Sequence, residues 1–375
     1  MRRIVAISDF CTQVPPAGGT FPDGDTPPQS IAEGSAVRGG YLERLPLAAV
    51  CAGLAETAEI WDFAGGTDDF VGVRSSSFGV ATRRFRADPH VAPYGSAQMR
   101  NHIRRFGAPE IRCVWGLGVT PETLDLCAGS IIIYNSLDVA ALRVPSEVSK
   151  RCDIFLTGSQ AQSNAVMARH PGALVGMLPV GPDFASPRTF FPTGAPKDFD
   201  VIYVAAAQGY KRHDILFDAL AGLPRSLRAL CVCGYGEDAG ALRQRASELG
   251  LDVEFIGPPG VSHDEVNRLM NRAHVGVVCG VEDGAPAILT EYMLAGLPVL
   301  ANAQLQCGLH YIRPETGRTA SASDFGAVLC DMLGNLKNFS PRKTVLANWT
   351  WDHSVQRLAA LVDMARDRRT QRAQA

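Results

Sequence analysis

The chain has 375 residues, 46% hydrophobic and 20% charged, with a formal net charge of −2. That length carries two domains of ordinary size, each with its own core, and the near-neutral charge excludes the basic excess on which nucleic-acid binding rests. No stretch approaches the roughly 20 apolar residues that span a bilayer, and Asp9 ends the opening apolar run too early for a signal peptide.

In chain order, short apolar runs alternate with helical patterns, which predicts parallel sheets covered by helices. The first half gives strands at residues 3–8, 59–63, 111–115, 130–134, 153–157 and 175–179, with helices at 41–57 and 96–106. Residues 15–38, rich in Gly, Pro, Asp and Ser, are too long for a simple connection and read as a functional loop. Pro187, Pro192 and Pro196 mark a linker over 185–199, separating a first domain at 1–184 from a second at 200–348. There the alternation restarts: strands DVIYVAA, LRALCVCG, VEFIG, HVGVVCG and PVLAN, with helices at 212–221, 239–249, 264–272 and 285–295 between them. A final helix occupies 349–375, ending in the basic MARDRRTQRAQA, a solvated helix end with a membrane surface as the weaker alternative. The expected fold is α/β: two doubly wound parallel-sheet domains facing a central cleft, with ligands at the carboxyl ends of the strands.

Ten cysteines occur without a CxxC or a zinc-type spacing, and read as reduced core thiols of a cytoplasmic protein with no metal site. The stretch EDGAPAILTEYMLAGLPVLAN is more informative, because Glu291 stands among Ile288, Leu289, Tyr292, Met293 and Leu294. A carboxylate on a helix that is apolar nearly all round needs a partner. Vicinal hydroxyls of a sugar or ribose would satisfy both its oxygens; a core Arg or Lys is the alternative. Pro286 suits the first helical turn, and N–H groups near Gly284 and Ala285 would suit a phosphate. Asp283 is either a ligand or a turn and capping residue.

This stretch resembles the E-x7-E element of retaining family-4 glycosyltransferases, two-domain enzymes of the GT-B fold, with Asp283 in place of the first glutamate. Other segments agree in order: LVGMLPVGPDFASPRTFFP, DVIYVAAAQGYKRHDILFDAL, CGYGED, VEFIG and WTWDHSVQRLAALV, and, in the first domain, VRGGYLERLPLAAVCAGLAE. The resemblance implies that the second domain binds a nucleotide-diphosphate sugar and the first an acceptor, with the closing helix packing back toward the first domain. Glu291 would bind the ribose hydroxyls and Asp283 the transferred sugar. Gly284, Ala285 and Pro286 would approach sugar or phosphate oxygens, and Gly257 would close the VEFIG strand on the substrate side. Lys211 would neutralise the diphosphate, although it is also readable as an exposed lysine at a helix start. With Lys211 and the Gly39–Gly40 turn sharing the phosphate charge, no metal or cofactor is implied.

Two departures stand out. The family's Gly-Arg after the VIYV strand is Ala205-Ala206 here, with Gln208 or Arg212 as candidate replacements; its first-domain His is replaced by Asn135 and nearby Asp138, which would contact the sugar or orient the acceptor. The implied reaction is metal-independent, retaining transfer to an acceptor hydroxyl, with a small molecule such as a natural product favoured over a lipid. The alternatives are a nucleotide-sugar epimerase of the same architecture and a degenerate, non-catalytic transferase-like subunit. Asp23-Gly24-Asp25 forms a DxD, the metal signature of a different glycosyltransferase fold.

Overall fold

The computed structural model describes residues 2–11, 26–31, 36–65, 71–75, 78–89, 92–136 and 138–374. The chain divides into two compact units, Met1–Val180 with Trp351–Ala375, and Gly181–Thr350.

The first unit is built on β1 (Arg3–Cys11), β2 (Thr57–Ala64), β3 (Gly72–Ser75), β4 (Ala81–Arg86), β5 (Ile111–Trp115), β6 (Ile131–Asn135), β7 (Ile154–Thr157) and β8 (Leu174–Met177). They order as β3-β4-β2-β1-β5-β6-β7-β8, parallel except for the antiparallel β3–β4 pair. Its helices are α1 (Tyr41–Cys51), α2 (Ala97–Phe106), α3 (Pro121–Asp125), α4 (Ser146–Ser149) and α5 (Gln160–Arg169). The sequence pattern predicts six of the eight strands and misses β3 and β4. The reason lies in β4, which reads ATRRFR. Its Arg83 is fully buried against both carboxylate oxygens of Glu59, at 2.7 and 3.1 Å. Arg84 meets Asp62 at 3.0 Å, directly opposite it across the β2–β4 register. Both carboxylates come from β2, so the compensation that lets a charged strand be buried is invisible within β4 itself. The pattern predicts this first helix over 41–57, but α1 ends at Cys51, ahead of Gly53, which takes a left-handed φ of 72°.

The second unit holds β9 (Phe199–Val204), β10 (Ala229–Val232), β11 (Val253–Ile256), β12 (Ala273–Val278), β13 (Val299–Asn302) and β14 (Gly317–Ala320). They order as β11-β10-β9-β12-β13-β14, parallel throughout. Its helices are α6 (His213–Ala221), α7 (Ala239–Glu248), α8 (His263–Met270), α9 (Ile288–Leu294), α10 (Phe325–Gly334) and α11 (Pro341–Asn348). Alternate strand residues enter two apolar layers: Ile202, Leu230, Val232 and Val299 on one face, Val201, Tyr203, Cys231 and Leu300 on the other. Helices therefore cover both faces, as the continuous apolar strands require. The Pro-rich residues 185–199 lie against this unit: Phe190 enters its core, and the Phe191 and Thr193 N–H groups bond to the Asn267 and Asn271 side chains at 3.0 and 2.7 Å.

The last helix, α12 (Trp351–Gln374), packs on the first unit through Leu358, Val362 and Ala365. Its Arg369 holds Asp153 with two contacts of 2.6 and 2.8 Å, and Arg366 reaches Glu110 at 3.2 Å. No described helix is long and apolar enough to cross a membrane. Cys51, Cys113, Cys127, Cys152, Cys231, Cys233, Cys279, Cys307 and Cys330 are free thiols.

Candidate active site

In the second unit the chain leaves β9 toward β10 and later returns to β12 on the other side, so β9 and β12 are neighbours whose following loops diverge. Such a switch point opens a crevice at the carboxyl ends of the strands. A cavity of about 310 Å³ lies there, within the size range of small-ligand sites.

Lys211 enters it from the loop after β9. A short turn, Gly209–Lys211, brings it round, and the Tyr203 hydroxyl on β9 donates to the Lys211 carbonyl at 2.6 Å, fixing the turn on the sheet. The Lys211 ammonium donates to the Asp283 carboxylate, from the loop after β12, and lies 4.8 Å from the Tyr210 ring centre. Burial lowers the lysine's pKa, but Asp283 and Tyr210 outweigh it, and the net value lies above the usual one. Sequence reading gave Lys211 and Asp283 separate roles; here they neutralise each other. Arg212 adopts a left-handed φ of 53°, which turns its side chain away to Asp214 at 2.7 Å. Gln208 lies 3.3 Å from Glu237 at the surface. Neither residue lines the cavity, whereas Ala205 and Ala206 do.

The opposite wall comes from α9, which begins at Ile288, later than the residue 285 read from the pattern. Gly284, Ala285 and Pro286 therefore lie in the preceding loop; Ala285 and Pro286 line the cavity and Gly284 does not. Three consecutive residues set the helix. Thr290 Oγ1 donates to the Pro182 carbonyl at 2.7 Å. Tyr292 turns to the sheet, where its hydroxyl accepts the Val204 N–H at 2.7 Å and its ring lies over Gly276, so close that a Cβ there would come within 2.5 Å of it. Glu291, between them, is 7% exposed and lines the cavity.

The remaining wall is apolar: Val232 at the end of β10 with Gly234 and Tyr235 after it, Gly260 and Val261 between β11 and α8, and Val266 on α8. Tyr235 stands at the rim, 63% exposed. The CGYG segment drew attention to this loop in the sequence, but nothing in it singled out Tyr235 or the valines. Gly257 is not part of the lining. It holds the wall together instead: with φ of 80°, a Cβ there would lie 2.3 Å from the Cys233 carbonyl.

The other candidates belong to the first unit. Gly39 adopts φ of 84° and its carbonyl accepts from Arg44 Nε at 2.9 Å, while the Gly40 N–H is taken by Glu43 Oε2 at 2.8 Å. Asp138 is half-buried and paired with Arg143 at 3.1 Å. Asn135 ends β6 opposite Trp115, which ends β5, and both are fully buried. Among the described residues, neither amide atom of Asn135 nor the Trp115 indole N–H has a hydrogen-bond partner. Orphaned buried polar groups are rare and each costs about 1–3 kcal/mol. Asp23-Gly24-Asp25 and most of the loop at 15–38 lie outside the described residues.

Residues 186–319 match the family model of the glycosyl transferases group 1. Among solved structures, sucrose-phosphate synthase from Thermosynechococcus elongatus aligns with a TM-score of 0.67 at 17% identity, covering 100% of both chains. Anabaena HepE, in complex with UDP and glucose, aligns with a TM-score of 0.68 at 14% identity, covering 97% of this chain and 100% of that one. The pneumococcal O-GlcNAc transferase GtfA aligns over 72% of this chain and 60% of its own, with a TM-score of 0.57 at 13% identity. No curated protein matches by sequence. The likeness to these structures shows the fold, a GT-B architecture, and the match to the glycosyl transferases group 1 model falls within its second unit.

Proposed function

We propose that the protein is a retaining glycosyltransferase that moves a sugar from a nucleotide-diphosphate sugar to the hydroxyl of a small-molecule acceptor. The observation that carries this reading is the convergence of Lys211, Asp283 and Glu291 on one cavity at the switch point of the second sheet. The nucleobase takes the apolar wall beside Val232, Val261 and Val266, with Tyr235 at the rim. Glu291 accepts from the ribose hydroxyls. The diphosphate lies beside Ala205 and Ala206, whose small side chains leave it room, and Asp283 faces the transferred sugar.

On binding, the donor draws the Lys211 ammonium from Asp283 toward the diphosphate. As the bond between the anomeric carbon and the phosphate oxygen breaks, negative charge grows on that oxygen, and a fixed buried cation stabilises it there. The acceptor oxygen attacks the same face, and the departing phosphate oxygen takes the acceptor proton. Lys211 supplies the positive charge that a metal would otherwise bring, so transfer proceeds in the presence of chelator.

HepE was solved with UDP and glucose, which makes UDP-glucose the first donor to test. A panel of nucleotide sugars is screened for a rise in melting temperature, since a ligand of the folded state stabilises by mass action. Stabilisation by a nucleotide sugar together with acceptor-dependent release of nucleoside diphosphate supports the transferase. Conversion of the donor without an acceptor indicates an epimerase, and binding without turnover a non-catalytic subunit.

A further inference from the structure

A second cavity, of about 160 Å³, lies in the first unit at the amino ends of β7 and β8, under the last turns of α12. Ligands of parallel sheets bind at the opposite, carboxyl ends, so this cavity is separate from any substrate site on that sheet. Its lining holds four cations, Lys150, Arg368, Arg369 and Arg372, against one carboxylate, Asp153. His170 is also there, but burial, and then the nearby Arg169 charge, hold its pKa below the ordinary value, which favours the neutral ring.

The cations divide into two kinds. Arg369 is fixed by Asp153 at 2.6 and 2.8 Å and by the Ala128 carbonyl at 2.8 Å, and Arg368 by the Gly172 carbonyl at 2.6 Å. The side chains of Lys150 and Arg372 take part in no hydrogen bond or ion pair among the described residues, and both residues are exposed. Asp153 is thus already compensated, while a surplus of positive charge faces a concave space. A water molecule takes about 30 Å³, so the cavity admits a phosphate-sized group, and guanidinium and ammonium donors are the groups that bind phosphate oxygens best.

We propose that this cavity is a binding site for a phosphate-bearing anion, distinct from the nucleotide-sugar pocket. Arg368 and Arg369 form its preorganised floor, and Lys150 and Arg372 close on the anion. The same chemistry fits a free phosphorylated molecule or a phospholipid headgroup.

Inorganic pyrophosphate is the first probe, measured by calorimetry at low ionic strength on the Lys211→Ala protein, so that binding in the donor pocket does not contribute. Binding is expected to persist in Lys211→Ala and to weaken by about tenfold or more when Lys150→Gln and Arg372→Gln are added. Both substitutions fall on exposed side chains, and an unchanged circular dichroism spectrum verifies the fold. Co-sedimentation with phosphatidylcholine vesicles, with and without phosphatidylglycerol, separates the sources. Sedimentation only with the anionic vesicles, competed by pyrophosphate, assigns a headgroup; pyrophosphate binding without sedimentation assigns a free anion. Absence of both, or binding that Lys150→Gln/Arg372→Gln leaves unchanged, overturns the proposal.

Discussion

Lys211 and Asp283, 72 residues apart in the chain, close on each other where the loops after β9 and β12 meet. Each is largely buried, with side chains 17% and 13% exposed, and each offsets the desolvation of the other. Removing either leaves an uncompensated charge in the cavity wall. Lys211→Ala is expected to lower stability by about 2 kcal/mol and transfer by roughly 100- to 1000-fold. Chemical denaturation and single-turnover rates measure the two effects; turnover at the wild-type rate would remove Lys211 from the chemistry.

The same pair sets an alkaline limit. The folded pKa of Lys211 is raised above 10.5 because Asp283 and Tyr210 outweigh burial. The stabilisation it brings is complete below 10.5 and is lost only as pH rises through that higher value. In Asp283→Asn the attraction is gone and burial dominates, so the lysine deprotonates at lower pH. Donor-induced stabilisation, followed against pH, should fail earlier in the variant than in the native protein.

Glu291 is assigned to the ribose. Glu291→Gln keeps the shape but removes the charge, and donor affinity should fall about 10- to 100-fold, as for a lost charged hydrogen bond. The sharper measurement compares a 2′-deoxy donor. The native protein should discriminate against it, and Glu291→Gln should discriminate far less; equal discrimination by both would place the ribose elsewhere.

Tyr292 positions α9 without touching the cavity. Tyr292→Phe removes the acceptor of the half-buried Val204 N–H, at a cost of about 1 kcal/mol. Gly276→Ala would drive a methyl group into the Tyr292 ring and cost a similar amount. Because both act through the placement of Glu291, donor binding should weaken along with the denaturation midpoint.

Asn135 carries the opposite sign. Among the described residues its two amide atoms have no partner, so Asn135→Leu should raise stability by about 1–2 kcal/mol. A fall in melting temperature on that substitution would show that the buried amide is not a net cost. His213 gives an acid limit: burial, and then the Lys211 charge, lower its pKa from 6.5 to about 4. Its contribution is present above 6.5 and is lost as pH falls through about 4, amounting to about 3 kcal/mol. His213→Phe should flatten stability over that interval.

The parallel strands β1, β2, β5 to β8 and β9 to β13 were legible in the sequence as short, mostly apolar runs, and a run of that kind needs no partner to be recognised. Glu291 was legible for the converse reason, as a charge in a helix with no apolar excuse for it. What the tertiary structure alone decided are the pairings between distant residues. Burial of β4 depends on carboxylates that β2 supplies, and the engagement of Lys211 depends on Asp283 from another loop. The turn of Arg212 away from the cavity follows from one backbone angle, and the phosphate-sized cavity under α12 exists only because the end of the chain returns to β7 and β8. Local pattern records which residues prefer burial; which charges meet there is set by the long-range packing of the sheets.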